Sequence, residues 1–371
     1  MSPVARHPHV LMTADAAGGV WTYAVALLRT LAREGVTCTL AVTGPPLSEA
    51  ALLDIADLPH VSLEQRPYRL EWMPGADEDV DRAGEWLLAL ADRYRPDLVH
   101  VNGYAHAALP FACPVLLVAH FCVRTWWRAV RREEAPDAWN AYTWRVRQGL
   151  ASASMVVAPT GAMLDALRQE YGRPPATMVI HNGLPAPRQR PGRKRDLIFS
   201  AGRIWDEAKN ISALDAVAGR LPWPVMVAGD AVTPEGRSRT PEAATYLGRL
   251  APADVHTWMA RAAIYALPAR YEPFGLSVLE AAQRSCALVL GDIPSLRELW
   301  TGAAEFVPPG DTGALEDTIA ALIDDPDRRR ALARAARVRA SRFSEDRMAR
   351  HYAMVYRTLA GASAGVISCA S

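Results

Sequence analysis

The stretch Arg270-Tyr271-Glu272-Pro273-Phe274-Gly275-Leu276-Ser277-Val278-Leu279-Glu280-Ala281-Ala282-Gln283 carries two carboxylates with seven residues between them. An apolar, strand-like run, Ala263 to Ala269, precedes it. Pro273 and Gly275 break regular structure just after Glu272. Leu276 to Gln283 then reads as a helix carrying Glu280. The order is strand, tight turn, helix. Such a turn offers backbone N–H groups at a helix start, where the dipole also favours an anion. Ser277 and Glu280 are three apart and share a face. Helical side chains lean toward the N-terminus, so Glu280 points back at whatever the turn binds. A phosphate with a polyol beside it fits both features. An ordinary helix start with two solvated glutamates fits the same short pattern.

Outward from this stretch, strands alternate with helices. Strand candidates are His9 to Thr13, Val36 to Val42, Leu98 to Val101, Val115 to Ala119, Met155 to Ala158 and Met178 to Ile180. Helical stretches lie between them, among them Asp79 to Tyr94 and Asp137 to Leu150. A break rich in Pro, Gly and basic residues runs from His181-Asn182-Gly183 through Pro191 and Gly192. The alternation restarts at Leu197 to Gly202 and continues through Val225 to Asp230 and Thr245 to Leu250, with a helix at Asp254 to Ala262. Alternation of this kind predicts parallel sheets covered on both faces, with ligands at the carboxyl ends of the strands. A single helical tract is expected from Asp327 to Leu359, with a frayed tail from Gly361 to Ser371.

Composition bounds the function. A chain of 371 residues is ample for two domains. Net charge is +1, so no global field recruits nucleic acid. Five scattered cysteines (Cys38, Cys113, Cys122, Cys286 and Cys369) form no CxxC pair and suit a reducing cytosol. Met1 to His7 has no apolar core of a secretory signal. Phe111 to Val123 is too short to span a bilayer. A cytoplasmic protein follows, and the peripheral inner membrane face is kept open by one stretch. Arg124-Thr125-Trp126-Trp127-Arg128-Ala129-Val130-Arg131-Arg132 mixes basic and aromatic residues, as a membrane-surface or acceptor-covering segment does. A partly core amphipathic helix with solvated arginines explains it more simply. The arginines from Arg328 to Arg339 read as a solvated helix face, with anionic lipid as the alternative.

Several further residues sit where chemistry is done. Gly18-Gly19 ends the first strand and opens a helix, so a ligand could approach the backbone closely; a plain turn is the simpler reading of the pair alone. His120 ends Val115-Leu116-Leu117-Val118-Ala119, as a ligand contact or as a hydrogen-bonded structural histidine. Gly202-Arg203 closes another strand, and Lys209 follows in the same loop. Arg as a fork and Lys as a point charge suit a diphosphate; two solvated cations, paired with Asp206 or Glu207, would look the same. No Asp-x-Asp metal motif stands out at a strand end, so no metal ligand is assigned.

Taken in order, Gly18-Gly19, His120, Asn182-Gly183, Gly202-Arg203 with Lys209, and Glu272-Pro273-Phe274-Gly275-Leu276 with Glu280-Ala281 resemble the signature of the retaining glycosyltransferases of family 4. The resemblance covers almost the whole chain. It implies an α/β architecture of the GT-B kind, two doubly wound Rossmann-like domains facing across a cleft. The expected divisions are an acceptor-side domain at 1–186, a nucleotide-sugar domain at 193–345, and a C-terminal helix at 346–371 crossing back to the first. It implies retaining, metal-independent transfer from a nucleoside diphosphate sugar, a UDP- or GDP-linked hexose, to a small-molecule, glycan or lipid-linked acceptor. No separate cofactor is implied. Arg203 and Lys209 would hold the leaving diphosphate, with Gly202 and the turn Phe274-Gly275-Leu276-Ser277. Glu272 would hold donor-sugar hydroxyls and Glu280 the ribose. Gly18 and Gly19 would meet the donor phosphates, and His120 the transferred sugar. The chain departs from the family at Trp205, at Asn210 where Gly is commoner, and at Asp292 and Ser295, which receive no contact. A nucleotide-sugar epimerase, a phosphorylase and a non-catalytic sugar-nucleotide binder remain as alternatives on the same fold.

Overall fold

The computed structural model describes residues 7–16, 18–187, 192–233, 236 and 238–368. Met1 to Arg6, Pro191 and Cys369 lie outside them. The chain forms two compact units. One holds the described residues of Met1–Trp127, Glu133–Gly183 and Glu345–Ser371; the other holds those of Arg128–Arg132 and Leu184–Ser344. The inclusion of Arg128–Arg132 in the second unit is not visible in the sequence.

The first unit alternates β1 (His9–Asp15), α1 (Gly19–Leu31), β2 (Thr37–Thr43), α2 (Glu49–Ala56), β3 (Val61–Arg66), α3 (Asp77–Tyr94), β4 (Leu98–Val101), β5 (Val115–Val118), α4 (Val123–Val130), α5 (Asn140–Ser152), β6 (Met155–Ala158), α6 (Gly161–Tyr171) and β7 (Thr177–Val179). All seven strands are parallel, in the order β3-β2-β1-β4-β5-β6-β7. The chain runs outward from β1 to β3 and then returns to lay β4 on the other side of β1. The strand order therefore reverses between β1 and β4. Loops diverge at such a point and leave a crevice at the carboxyl edge.

The second unit repeats the plan with β8 (Arg195–Ala201), α7 (Ile211–Ala218), β9 (Val225–Ala228), β10 (Thr245–Tyr246), α8 (Pro252–Arg261), β11 (Ala262–Leu267), α9 (Leu276–Gln283), β12 (Ala287–Gly291), α10 (Pro294–Trp300), β13 (Glu305–Val307), α11 (Thr312–Asp324) and α12 (Pro326–Ala340). Its six parallel strands run β10-β9-β8-β11-β12-β13, with the reversal between β8 and β11. Strands β4, β5, β11 and β12 are buried along their whole length. They are near-continuous apolar runs, as sheets covered on both faces require. Each buried Leu, Ile or Val contributes about 1.5–3 kcal/mol relative to exposure. The strand ends are thus stiff mounts for the loops that follow.

Two expectations are corrected. The single tract Asp327 to Leu359 is two helices, α12 and α13 (Glu345–Ser368). Between them Phe343 turns inward against Phe274 and Trp300, with ring centroids 5.7 and 5.8 Å away. Its carbonyl accepts the Leu184 N–H at 3.1 Å instead of continuing a helical ladder. The tail expected to fray from Gly361 continues α13 to Ser368.

Helix α13 belongs to the first unit and packs beside α1. Tyr352, Val355 and Tyr356 are buried there. The Tyr356 hydroxyl meets His100 Nδ1 at 2.6 Å, and Arg33 pairs with Asp346 at 2.8 Å. In α4, Trp126 and Trp127 are half-buried and stand edge to face at 5.7 Å. Arg124 donates to Glu170 at 3.1 Å, and Arg131 to Glu207 at 2.8 Å. In α12, Arg328 pairs with Glu305, Arg329 lies over Trp223 at 4.7 Å, and Arg339 donates to the Leu299 and Thr301 carbonyls. Arg328, Arg330, Arg334 and Arg337 are exposed, as a solvated face requires, and Arg124, Arg329 and Arg339 are half-buried clasps. Among the described residues, no helix is long and apolar enough to cross a membrane.

Candidate active site

In the second unit the loops after β8 and β11 meet at the strand-order reversal. Backbone pairing with the β9 side continues past the end of β8. Gly202 N–H donates to Ala228 at 3.1 Å and Ile204 N–H to Asp230 at 2.8 Å, which brackets Arg203. This close approach depends on Gly229, at φ 148°. A Cβ there would stand 1.7 Å from the Gly202 oxygen. Arg203 then pairs with Asp206 at 2.8 Å and lies over the Trp205 ring at 5.3 Å.

The chain next coils tightly to Lys209. Asp206 Oδ1 accepts the Ala208 N–H at 3.0 Å, and the Asp206 carbonyl accepts that of Lys209 at 2.9 Å. Asn210 is left-handed, with φ 55° and ψ 36°. Glycine enters that region freely, and asparagine is among the few others that tolerate it. The departure from the family's glycine therefore keeps the backbone. It also adds an anchor, since Asn210 Nδ2 donates to the Pro268 and Pro309 carbonyls, each at 2.8 Å. Pro268 directly follows β11, and the Ala208 carbonyl accepts the Arg270 N–H at 2.8 Å. Lys209 Nζ is thereby delivered to Glu272 Oε2 at 2.5 Å, both side chains largely buried.

The turn after Glu272 is set by Gly275, at φ 85°, where a Cβ would come within 3.1 Å of Val278. The Gly275 carbonyl accepts the Leu279 N–H. The amides of Leu276, Ser277 and Val278 are the first of α9 and precede its hydrogen-bond ladder. Ser277 hydrogen-bonds the Tyr265 hydroxyl, which itself donates to the Ala201 carbonyl at 3.1 Å. Phe274 is 3% exposed and packs on Phe343. Its side chain is core, so only its backbone is left to offer a ligand. Glu280 Oε1 accepts from His256 Nε2 on α8 at 3.0 Å.

In the first unit, Gly18 takes φ 80° at the start of α1, with nothing within 4 Å of where a Cβ would be. His120 follows β5. Its Nε2 donates to Asn102 Oδ1 at 2.8 Å, and its ring stands edge-on to Tyr23 at 4.4 Å. Asn102 also receives His100 Nε2 at 3.2 Å and donates to the Thr13 carbonyl at 2.6 Å. Burial depresses the His120 imidazole to about 3. It is therefore neutral at working pH, with Nε2 as donor and Nδ1 as the acceptor nitrogen.

Three of these partners are not legible in the sequence. His256 is 24 residues from Glu280. Asn210 stands out only as a departure. Ser295 receives no role there, yet its hydroxyl donates to the Glu272 carbonyl at 2.5 Å. Asp292, the neighbouring departure, pairs with Arg297 at 2.6 Å. A polar residue standing where the family has another residue is the available signal, but its partner is set by tertiary contact.

The family models and known structures agree with the fold of the two units. The model Glycosyltransferase Family 4 matches residues 17–188, and Glycosyl transferases group 1 matches residues 189–339. Glycogen synthase of Mycobacterium tuberculosis is 27% identical over 317 residues, 77% of this chain and 75% of that protein. Sucrose-phosphate synthase from Thermosynechococcus elongatus superposes with a TM-score of 0.79 at 19% identity, covering 96% of this chain and 100% of that one. HepE of Anabaena in complex with UDP-glucose superposes with a TM-score of 0.74 at 16% identity, covering 95% and 100%. Two parallel-sheet units of this build are the GT-B fold, and the family models over both make the chain a glycosyltransferase. The chain belongs to glycosyltransferase family 4, the glycosyl transferases group 1.

Proposed function

We propose that the protein moves a hexose from a nucleoside diphosphate sugar to an acceptor hydroxyl, with retention of configuration and without a metal ion. The observation that carries this is the union of Lys209 with Glu272 at 2.5 Å, in the loops that hold Arg203 and the start of α9. A departing diphosphate builds negative charge as the bond from sugar C1 to phosphate oxygen lengthens. Arg203, Lys209 and the first amides of α9 meet that charge, and preorganised donors of this kind commonly outweigh every other contribution to the rate. Glu272 accepts from hydroxyls of the donor sugar, and Glu280 from the ribose. His120 contacts the transferred sugar. The acceptor oxygen bonds to C1 on the face the phosphate leaves, and its proton passes to the leaving phosphate oxygen. No side chain has to act as base.

Uridine is the base to test first, because HepE, of the same fold, was crystallised with UDP-glucose. Melting temperature is read with UDP, GDP, ADP and dTDP and their glucose and mannose esters, since a ligand of the folded state raises it by mass action. The expected result is stabilisation by one nucleotide family, reduced in Lys209→Ala. No shift with any of them would remove the donor assignment.

A further inference from the structure

The glycosyl-transfer reading leaves the acceptor unnamed, and the carboxyl edge of the first unit carries groups that the donor assignment does not use. We infer that Asp15, with Trp72, binds a hydroxyl of an uncharged, polyhydroxylated acceptor over the reversal between β1 and β4, and that phosphorylated acceptors are excluded there. This rests on the glycosyl-transfer reading.

Asp15 is the last residue of β1. Register carries its level across the sheet. Met12 lies opposite His100, and Val101 opposite Leu117, so Asp15, Gly103 and Ala119 share one height. Loop 68–76 is folded over this edge by Glu71. Its carboxylate accepts the Tyr104 N–H at 2.9 Å and the Ala105 N–H at 2.8 Å. A Cβ at Gly103 would come within 3.1 Å of that carboxylate, so glycine lets the loop close down. The fold-over brings the Trp72 indole N–H to the Asp15 carboxyl. Glu71 thus takes three backbone contacts from two amides, whereas Asp15 has one indole donor among the described side chains.

A carboxyl can accept about four hydrogen bonds. The unfilled positions of a half-buried one call for hydroxyl donors. Trp21, in the first turn of α1, adds a second signal. It is 8% exposed, and its indole Nε1 has no hydrogen-bond partner among the described residues. β1 therefore ends in a carboxyl short of donors, and the first turn of the helix that follows it carries a buried indole N–H without a partner among the described residues. Paired acceptors, donors and indole rings are the chemistry of sugar recognition.

Charge supplies the discrimination. Asp15 and Glu71 are both acidic and lie close enough to interact. The neighbouring cation, Arg145, is taken up by Asp81 at 2.6 Å and Asp77 at 3.6 Å. His120 is neutral. A phosphate seated here would face the Glu71 carboxylate, while the cations beside it are engaged elsewhere, Arg145 as above and Arg69 of the same loop by Asp79 at 4.0 Å. The spacing also suits transfer. Asp15 and His120 end strands two places apart, about 10 Å at ordinary strand spacing, which leaves room for one pyranose over the end of β4.

The test uses the full chain and three pairs of sugars: glucose with glucose 6-phosphate, mannose with mannose 6-phosphate, and myo-inositol with inositol 1-phosphate. Saturation-transfer NMR without donor should give signals from at least one neutral member that fall in Asp15→Asn and in Trp72→Phe. With the sugar nucleotide whose base stabilises the protein, the KM for that sugar should rise about tenfold in Asp15→Asn, while the melting shift given by the nucleoside diphosphate alone is unchanged. Preference for a phosphorylated member, or sugar signals indifferent to both substitutions, would overturn the assignment. Absence of a shift with UDP, GDP, ADP and dTDP alike in the wild type would instead strike the donor reading, because the sugar signals are read separately.

Discussion

At the residue scale, the site is built from charges that the protein pairs with each other. Arg203 faces Asp206, and Lys209 faces Glu272. If Arg203 acts on the leaving diphosphate, Arg203→Ala should lower kcat by about two to three orders of magnitude. A rate near wild type would remove it from the mechanism. His256 holds the Glu280 carboxylate from outside the motif. We expect His256→Leu to weaken UDP binding about tenfold with little change in kcat, and His256→Gln to recover part of the loss; titration calorimetry would show this. Asp15 gives a pH signature. Burial and Glu71 raise its carboxyl from 3.8 to about 7. A raised carboxyl pKa means the folded state resists ionisation, so stability is lost as pH climbs from about 4 to 7 and the penalty is complete above that. Asp15→Asn should therefore raise the melting temperature more at pH 8.5 than at pH 5. Equal gains at both would contradict the burial of this group.

At the element scale, glycines do work that no side chain could. Gly229 lets β9 run close enough to hold Gly202, and Gly275 turns the chain into α9. Gly229→Ala would push the Gly202 carbonyl aside and carry Arg203 with it. Turnover should fall at least tenfold, with a melting temperature several degrees lower, since such a clash costs about 1–3 kcal/mol. A variant stable and fully active would show that the backbone yields cheaply. The alternation of elements was legible because buried parallel strands are plain apolar runs. Strand β3 was missed because Val61–Arg66 is a half-exposed edge with polar residues at most positions. The break between α12 and α13 was missed because Arg and Ala continue the helical pattern up to it. The burial of Phe343 and the pairing of Phe343 and Ser344 with Leu184, both invisible in one dimension, stop the helix. The pairing of Lys209 with Glu272 was legible as two separate candidates. Their contact depends on Asn210 and Pro268, which sequence spacing does not reveal.

At the scale of the whole molecule, each unit places its candidate groups at its own strand-order reversal. Hydrogen exchange should follow that division. UDP is expected to slow exchange at 200–210 and 270–283, whereas a bound neutral sugar should slow it at 13–16 and 69–76. Protection by UDP confined to 69–76 would contradict the assignment of ligands to units. The first unit is also discontinuous in the chain. Tyr23 and His100, near its beginning, finish their packing only against Tyr352 and Tyr356. All of Leu184–Ser344 is synthesised in between. On a ribosome, then, the unit begun first is completed last. A nascent chain paused within the second unit holds a first unit with an open aromatic seam, the kind of exposed apolar surface on which chaperones act.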